Sequence, residues 1–184
     1  MRVLSQTGFR ELTGYKALAA SLIGAALTAL CAQVAFYLPG NPYVPVTMQT
    51  FAVVLCAMTL GSRLGALSQM EYLAVGLLGA PVFAGFKSGP AAVVGPTLGY
   101  LIGFVAAAYV VGLFIESTRR TLASGLIAGM LGVAVIYIFG AAWLTIWGRA
   151  IFPGWACWMA GVAPFVGLDA AKVTLAAMLC FKRR

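Results

Sequence analysis

The stretch PFVGLDAAKVTLAAMLCF, residues 164–181, is an apolar segment that carries two charged side chains, Asp169 and Lys172, near its middle. A charge at the centre of a membrane helix costs at least about 2.5 to 3.5 kcal/mol on insertion scales, so such residues face a protein interior or a wet cavity. Their spacing of three places both on one helix face, where they can share a polar ligand or pair with each other. The pattern favours a functional site; the alternative is an internal salt bridge that only fixes helix packing.

The composition indicates an integral membrane protein, because 62% of the 184 residues are hydrophobic and only 9% are charged. Removing the apolar runs leaves no long soluble stretch, so we expect one membrane domain over residues 1–184. The expected fold class is all-α, a bundle of six transmembrane helices. The predicted spans are 17–38, 47–60, 64–80, 91–115, 121–147 and 160–181.

The basic residues predict the orientation of this bundle in a cell membrane. Six spans put both termini on one side, and nine basic residues fall there: Arg2, Arg10, Lys16, Arg63, Arg119, Arg120, Lys182, Arg183 and Arg184. Only Lys87 and Arg149 fall on the other side. The positive-inside rule therefore predicts a multi-pass protein with both termini in the cytoplasm. Because this asymmetry explains most of the +8 net charge, no nucleic-acid partner is expected.

Several chemistries are disfavoured by the residues that the chain lacks. It has no histidine, and its four cysteines show no metal-type spacing, so we expect no metal site and no cofactor. An intramembrane enzyme usually needs histidine, a metal cluster, or a serine or cysteine with a base, so we expect no enzyme. The phosphate-binding pattern GxxxxGK[ST] is absent from the sequence, so any ATP energy must come from partner subunits.

The second and third predicted spans are short, about 21 and 26 Å long against a hydrocarbon core of about 30 Å. Short membrane helices often leave backbone groups facing a cavity, which makes this region a candidate wall of a binding site. Before them, the segment 39–45 contains three prolines and either holds a defined shape over that cavity or is a simple turn. After them, the segment 79–90 carries Phe83 and Phe86, which can close over an apolar ligand as a lid.

Two further features each leave two interpretations open. Small residues recur every fourth position at Ala17, Ser21, Ala25 and Ala29, and such a ladder either packs inside the bundle or docks a partner helix. Glu71 lies in the third predicted span and is either a second polar group of the cavity or a group near the membrane interface.

Five short strings occur in order along most of the chain: VPVTMQT at 44–50, GSRLGA at 61–66, GAPVFAG at 79–85, GPTLGYLIGF at 95–104 and DAAK at 169–172. In these strings the sequence resembles the BioY family, the biotin-specific substrate-binding components of energy-coupling-factor transporters. The resemblance implies six membrane helices, biotin bound from the outside, and assembly with a transmembrane coupling subunit and two ATPase subunits.

The resemblance also implies roles for individual residues. The Asp-x-x-Lys pair that contacts biotin in the family falls on Asp169 and Lys172. In relatives a polar side chain that contacts the ligand follows the Phe-Ala of the 79–85 string; Gly85 stands there, and Tyr100 or Gln49 is expected to compensate. The family's docking face for the coupling subunit falls on the ladder of the first helix, at Ala17, Ser21 and Ala25.

Biotin offers two ureido N–H donors, one carbonyl acceptor, an apolar thioether ring and a carboxylate tail. Asp169 can accept from the ureido N–H, and Lys172 can donate to the carbonyl or to the carboxylate. Phe83, Phe86 and Tyr43 are expected to form an aromatic wall. The competing hypothesis is an autonomous carrier or channel that uses the Asp169 and Lys172 pair as an ion or proton relay.

Overall fold

Helices make up most of the computed structural model, which describes residues 14–39, 41–149 and 154–181. Within these ranges the chain forms seven helices and two strands. In chain order they are α1 Tyr15–Gln33, β1 Ala35–Leu38, β2 Asn41–Thr47, α2 Gln49–Leu77, α3 Gly89–Val93, α4 Leu98–Ser117, α5 Leu122–Trp147, α6 Gly154–Gly161 and α7 Val166–Phe181.

The long helices carry apolar side chains on their outer faces as well as inside the bundle. Ile23, Leu30, Ile146 and Leu179 are each at least 60% exposed. In the described part of the chain, five helical stretches are long and apolar enough to cross a membrane: Tyr15–Gln33, Gln49–Leu77, Leu98–Ser117, Leu122–Trp147 and Gly154–Phe181. Since helices satisfy their own backbone hydrogen bonds, such stretches can lie in lipid. The fold is that of a multi-pass membrane protein.

The chain reverses direction inside α2, at Gly61. This residue has φ 84° and ψ −176°, which are not helical values. Gln49 and Tyr72 would lie about 34 Å apart along one straight helix, yet their side chains are hydrogen-bonded at 2.8 Å. A Cβ built on Gly65 would lie 3.0 Å from the Cα of Ala57. α2 is therefore two antiparallel arms, residues 49–60 and 62–77, and its turn falls between the second and third predicted spans.

The turn in α2 is closed by a carboxylate from the end of α4. Glu116 accepts hydrogen bonds from the Ser62 N–H at 2.8 Å and from the Ser62 hydroxyl at 3.0 Å. A carboxylate at a helix N-terminus satisfies free N–H groups and favours the positive end of the helix dipole. Glycine suits position 61 because its φ is positive, and a Cβ there would displace the Glu116 carboxylate that closes the turn.

A β-hairpin corrects the prediction of an all-α fold. The first predicted span, 17–38, is too long: α1 ends at Gln33, and β1 pairs antiparallel with β2, with Ala35 opposite Thr47 and Phe36 opposite Val46. The segment predicted as a loop, 39–45, therefore forms most of β2. Val44 and Val46 are buried on one side of β2, and this alternation is the pattern of a half-buried strand.

The last predicted span, 160–181, is interrupted in the structure. α6 ends at Gly161 and α7 begins at Val166, with a turn at 162–165 between them. The side chain of Asn41 on β2 donates a hydrogen bond to the Ala160 carbonyl oxygen at 2.7 Å. This bond joins the hairpin to the end of α6.

The small-residue ladder of α1 packs inside the bundle. Ser21 is fully buried and Ala25 is 6% exposed, while Ala17 is half-buried. The neighbouring Gly24 lies so close to the second arm of α2 that a Cβ on it would be 3.0 Å from the Cβ of Ser68. Small residues therefore let α1 and α2 approach closely at Ser21 and Ala25. Docking of a partner helix on this ladder stays a prediction.

Candidate functional site

A cavity of about 650 Å³ lies at the end of the bundle opposite the first residues of α1 and the last residues of α7. Its walls come from the hairpin, both arms of α2, the segment 83–88, α3, α4, α5 and the first turns of α7. This volume suits a small molecule. Mostly apolar walls with a few polar groups are typical of such binding sites.

Most of the predicted site residues come together on the wall of this cavity, although they lie far apart in the sequence. The seven that line it are Tyr43, Gln49, Phe83, Phe86, Tyr100, Asp169 and Lys172. Gly85 is exposed and does not line it, although its neighbours Ala84 and Phe86 do. Glu71 is also absent from the wall, because its side chain turns towards α1 and accepts from the Ser21 hydroxyl at 2.8 Å.

Asp169 and Lys172 form a buried ion pair that faces the cavity. They are 4% and 9% exposed, and the Lys172 Nζ lies 2.7 Å from Asp169 Oδ1. Asp169 lies in the first turn of α7, where the positive end of the helix dipole stabilises a carboxylate. Pairing and ligand contact are compatible here, since the ammonium group has three donors and the carboxylate about four acceptor sites.

A third residue, Tyr137 of α5, completes this polar group. Its hydroxyl donates to Asp169 Oδ2 at 2.7 Å, so the two carboxylate oxygens have different partners. The sequence analysis did not single out Tyr137. The available signal was a phenol well inside a predicted span, away from the interfaces where tyrosine is enriched. Its partner is 32 residues away in the sequence.

A second polar group on the wall is a chain of hydrogen bonds that links the end of β2 to both arms of α2. The Thr47 hydroxyl donates to Gln49 Oε1 at 2.9 Å, and Gln49 Nε2 donates to the Tyr72 hydroxyl at 2.8 Å. The Tyr72 hydroxyl in turn donates to the Val82 carbonyl oxygen at 3.3 Å. Thr47 and Tyr72 were also missed by the sequence analysis. Together these bonds hold the 5%-exposed carboxamide of Gln49 in one orientation.

Tyr100 lines the cavity, and its hydroxyl forms a hydrogen bond to another part of the bundle. The hydroxyl donates to the Gly161 carbonyl oxygen at 2.8 Å. A Cβ on Gly140 would collide with the Tyr100 ring, and a Cβ on Gly161 would collide with the Tyr100 hydroxyl. Tyr100 therefore ties α4 to the end of α6, just before the turn that leads to Asp169.

The two phenylalanines of the expected lid have different positions. Phe83 is 5% exposed and packs edge-on against Tyr72, with ring centroids 5.5 Å apart. Phe86 is 70% exposed and borders the opening. The side chain of Gln33 holds this segment, donating to the carbonyl oxygens of Val82 and Phe83 and accepting from the Phe86 N–H. Phe83 is part of the wall, and Phe86 alone has the exposure expected of a lid.

Tyr43, the remaining aromatic residue of the expected wall, packs against a tryptophan ring at the end of α5. Its ring meets that of Trp147 edge-on, with centroids 6.1 Å apart.

In residues 14–39, 41–149 and 154–181 no group of three or more His, Cys, Asp or Glu side chains is placed to hold a metal ion. The polar groups that the described cavity offers are hydrogen-bonding and charged side chains.

A helical membrane bundle with a mostly apolar cavity, a buried ion pair and a fixed carboxamide defines a membrane protein that binds a small amphiphilic molecule. Comparison with known proteins identifies the family. The model of the BioY family matches residues 5–184, and the chain belongs to that family.

Two curated relatives and one solved structure illustrate the similarity. The chain is 38% identical over 139 residues to "Biotin transporter BioY" of Thermotoga maritima, covering 76% of this chain and 80% of that protein. It is 38% identical over 155 residues to "Probable biotin transporter BioY" of Pyrococcus horikoshii, covering 84% and 87%. It also resembles the crystal structure of the S-component for biotin from an ECF-type ABC transporter, with a TM-score of 0.79, 24% identity and coverage of 90% and 88%.

Proposed function

We propose that this protein is a biotin-binding S component of an ECF-type uptake transporter. The observation that carries the proposal is the buried Asp169, Lys172 and Tyr137 group on the wall of a cavity that is otherwise largely apolar. One relative of this chain bears the name biotin transporter BioY, and a second bears the name probable biotin transporter BioY. Membership of the same family supports biotin as the substrate and a transport role rather than an enzymatic one.

The chemistry of biotin suits the polar and apolar parts of this cavity. Its ureido group requires an acceptor for N–H and a donor for the carbonyl, and its tail carries a negative charge. Asp169 supplies the acceptor, and Lys172 retains two N–H donors beyond its bond to Asp169. Phe83, Phe104 and Phe165 line the cavity and give the thioether ring an apolar surface. Burial of that ring would contribute about 25 cal/mol for each Å² removed from water.

The proposed topology has six crossings in a cell membrane. The two arms of α2 count as separate crossings because they run antiparallel, and they join α1, α4, α5 and the α6–α7 pair. The nine basic residues on the terminal side favour cytoplasmic termini. Because the cavity lies at the opposite end of the bundle, it would collect biotin from outside the cell.

Transport would depend on partner subunits, a transmembrane coupling subunit and two ATPase subunits. The sequence contains no phosphate-binding GxxxxGK[ST] pattern, so ATP hydrolysis is assigned to the partners. The ladder at Ala17, Ser21 and Ala25 is mostly covered by α2. The other side of α1 exposes Leu18, Leu22 and Ile23 and offers the coupling subunit an apolar face.

The test is a binding titration with purified protein in detergent. We expect one biotin per chain, without added metal or nucleotide, and no binding of riboflavin or thiamine at the same concentrations. Isothermal titration with competition by labelled biotin measures both. No heat with biotin and saturable binding of another vitamin would overturn the substrate assignment.

A further inference from the structure

We propose that the carboxamide of Gln49 recognises one N–H and the carbonyl of the ureido ring as a pair, and so selects a cyclic urea over its guanidinium analogue. This inference rests on the proposed function and adds the group that determines specificity. Gln49 is the one carboxamide among the described residues that line the cavity. It is buried, and its side chain is held at both polar atoms.

The direction of the hydrogen-bond chain fixes which edge Gln49 presents. The chain ends at the Val82 carbonyl oxygen, which can only accept. The Tyr72 hydroxyl donates its one hydrogen there and therefore accepts from the Gln49 N–H. The Thr47 hydroxyl then donates to the Gln49 oxygen. Each atom of the carboxamide keeps one site, an N–H donor on Nε2 and a lone pair on Oε1.

That remaining pair complements one side of a cyclic urea. In such a ring an N–H and the C=O point the same way, so a primary amide can form two parallel hydrogen bonds with them. The same bidentate use of a carboxamide lets glutamine and asparagine recognise adenine. A buried ligand must have its polar groups paired, because an unpaired donor or acceptor costs about 1 to 3 kcal/mol.

Counting donors and acceptors shows why Asp169 alone is not enough. Asp169 can accept from one ureido N–H, which leaves the second N–H and the carbonyl unpaired. Gln49 supplies one acceptor and one donor, which completes the set and frees Lys172 for the carboxylate tail. Thr47 and Lys172 both line the main cavity, and both also line an apolar groove of about 290 Å³ beside it, so the two polar groups are neighbours.

The structure also decides between the two residues expected to compensate for Gly85. The hydroxyl of Tyr100 donates its hydrogen to Gly161, so it retains only acceptor capacity. It cannot donate to a ureido carbonyl while that bond is intact. Gln49 retains both a donor and an acceptor and is the better substitute.

Three ligands and two variants test this assignment at neutral pH: biotin, desthiobiotin, which keeps the ureido ring, and 2-iminobiotin, in which a protonated guanidinium replaces it. Gln49→Met should weaken biotin and desthiobiotin binding by a similar factor, about 10-fold or more. Gln49→Glu replaces the donor by an acceptor. It should lower the ratio of the 2-iminobiotin Kd to the biotin Kd by about 10-fold or more relative to the wild type.

Gln69→Met is the matched control, because Gln69 is a fully buried carboxamide of the same helix that does not line the cavity. It should lower thermal stability and leave the Kd ratio unchanged. Wild-type affinity for biotin in Gln49→Met, or an unchanged ratio in Gln49→Glu, would overturn the assignment of Gln49.

Two outcomes remain informative if the Gln49 variants do not fold. The wild type should bind 2-iminobiotin at least about 10-fold more weakly than biotin, and equal or tighter binding would refute the role of Gln49. Failure of the wild type to bind biotin at all would instead refute the proposed function. The two failures are therefore distinguishable.

Discussion

Two of the polar groups inside the described part of the bundle each contain an acidic side chain, and they differ in their surroundings. One is the Asp169, Lys172 and Tyr137 group, which faces the cavity. The other lies between α1 and the second arm of α2, where Ser21 donates to Glu71 and the Gln69 Nε2 donates to Thr28. Each contains an acidic side chain in a membrane helix, and both acids were candidates for the cavity in the sequence.

The two groups differ in whether open volume adjoins the acidic side chain and in whether a cation neutralises its charge. Asp169 has a cationic partner at 2.7 Å and open volume in front of it. Glu71 is packed against α1. Among the described residues its hydrogen-bond partner is a serine, and its Oε2 is buried without one. A polar group in a membrane protein becomes a binding site when its bonds hold it still and leave some of its capacity facing a cavity. The comparison predicts that mutations at the two groups have different effects.

The largest effect is expected at the cavity. Asp169→Asn keeps the size of the side chain and presents an N–H to a ligand donor, so biotin affinity should fall by about 1.5 to 3 kcal/mol, or about 10 to 150-fold. Titration of biotin and thermal stability should both be measured for Asp169→Asn, for Lys172→Met and for the double variant.

The double variant separates ligand contact from ion pairing. If the pair is purely structural, each single change should destabilise the fold, because it leaves one buried charge without a partner. The double variant removes both charges and should recover stability. If the double variant binds biotin like the wild type, Asp169 and Lys172 do not contact the ligand. Lost affinity in all three variants with an intact fold supports the contact.

A smaller effect, on stability alone, is expected at the packed group. Ser21→Ala removes the donor to Glu71 Oε1 and should cost about 1 to 2 kcal/mol of stability, or about 2 to 8 °C in melting temperature. Biotin affinity should stay within about twofold of the wild type. A marked loss of affinity with unchanged stability would mean that this interface communicates with the cavity.

Tyr137→Phe sharpens the comparison within the cavity. The change removes the hydrogen bond to Asp169 Oδ2 and keeps the ring, so the carboxylate remains paired with Lys172 and loses one constraint. Biotin affinity should fall by about 0.5 to 1.5 kcal/mol, or about 2 to 13-fold. Unchanged affinity would show that Lys172 and the start of α7 suffice to orient Asp169.

The smallest effect is expected at Gly85. Its φ is 71°, a conformation that asparagine tolerates better than most residues, and no atom lies within 4 Å of a Cβ built there. Gly85→Asn should therefore fold and change biotin affinity by less than about threefold, since position 85 is not on the cavity wall. Gly85→Ala is the control for backbone strain. A large gain in affinity for Gly85→Asn alone would show that this position reaches the ligand.

The sequence by itself determined the membrane class, the helical character and the placement of Asp169 and Lys172 on one face of a helix. These conclusions rest on local properties, because apolar run length predicts a span and a spacing of three places two side chains on one helix face. The reversal of the chain within α2 was also foreseeable, since the predicted break between residues 60 and 64 agrees with the turn at Gly61. Whether the α1 ladder was internal or external stayed open in the sequence.

Only the tertiary structure decided the rest, because those features depend on residues far apart in the chain. Tyr137 meets Asp169 across 32 positions, and Gln49 meets Tyr72 across 23. Pairing of β1 with β2 ended α1 earlier than its apolar run suggested, since hydropathy does not distinguish a short apolar strand from a helix. The packing of α1 against α2 buried Ser21 and directed Glu71 away from the cavity. Side-chain periodicity describes one helix at a time, whereas a binding site is formed where several elements leave a space between them.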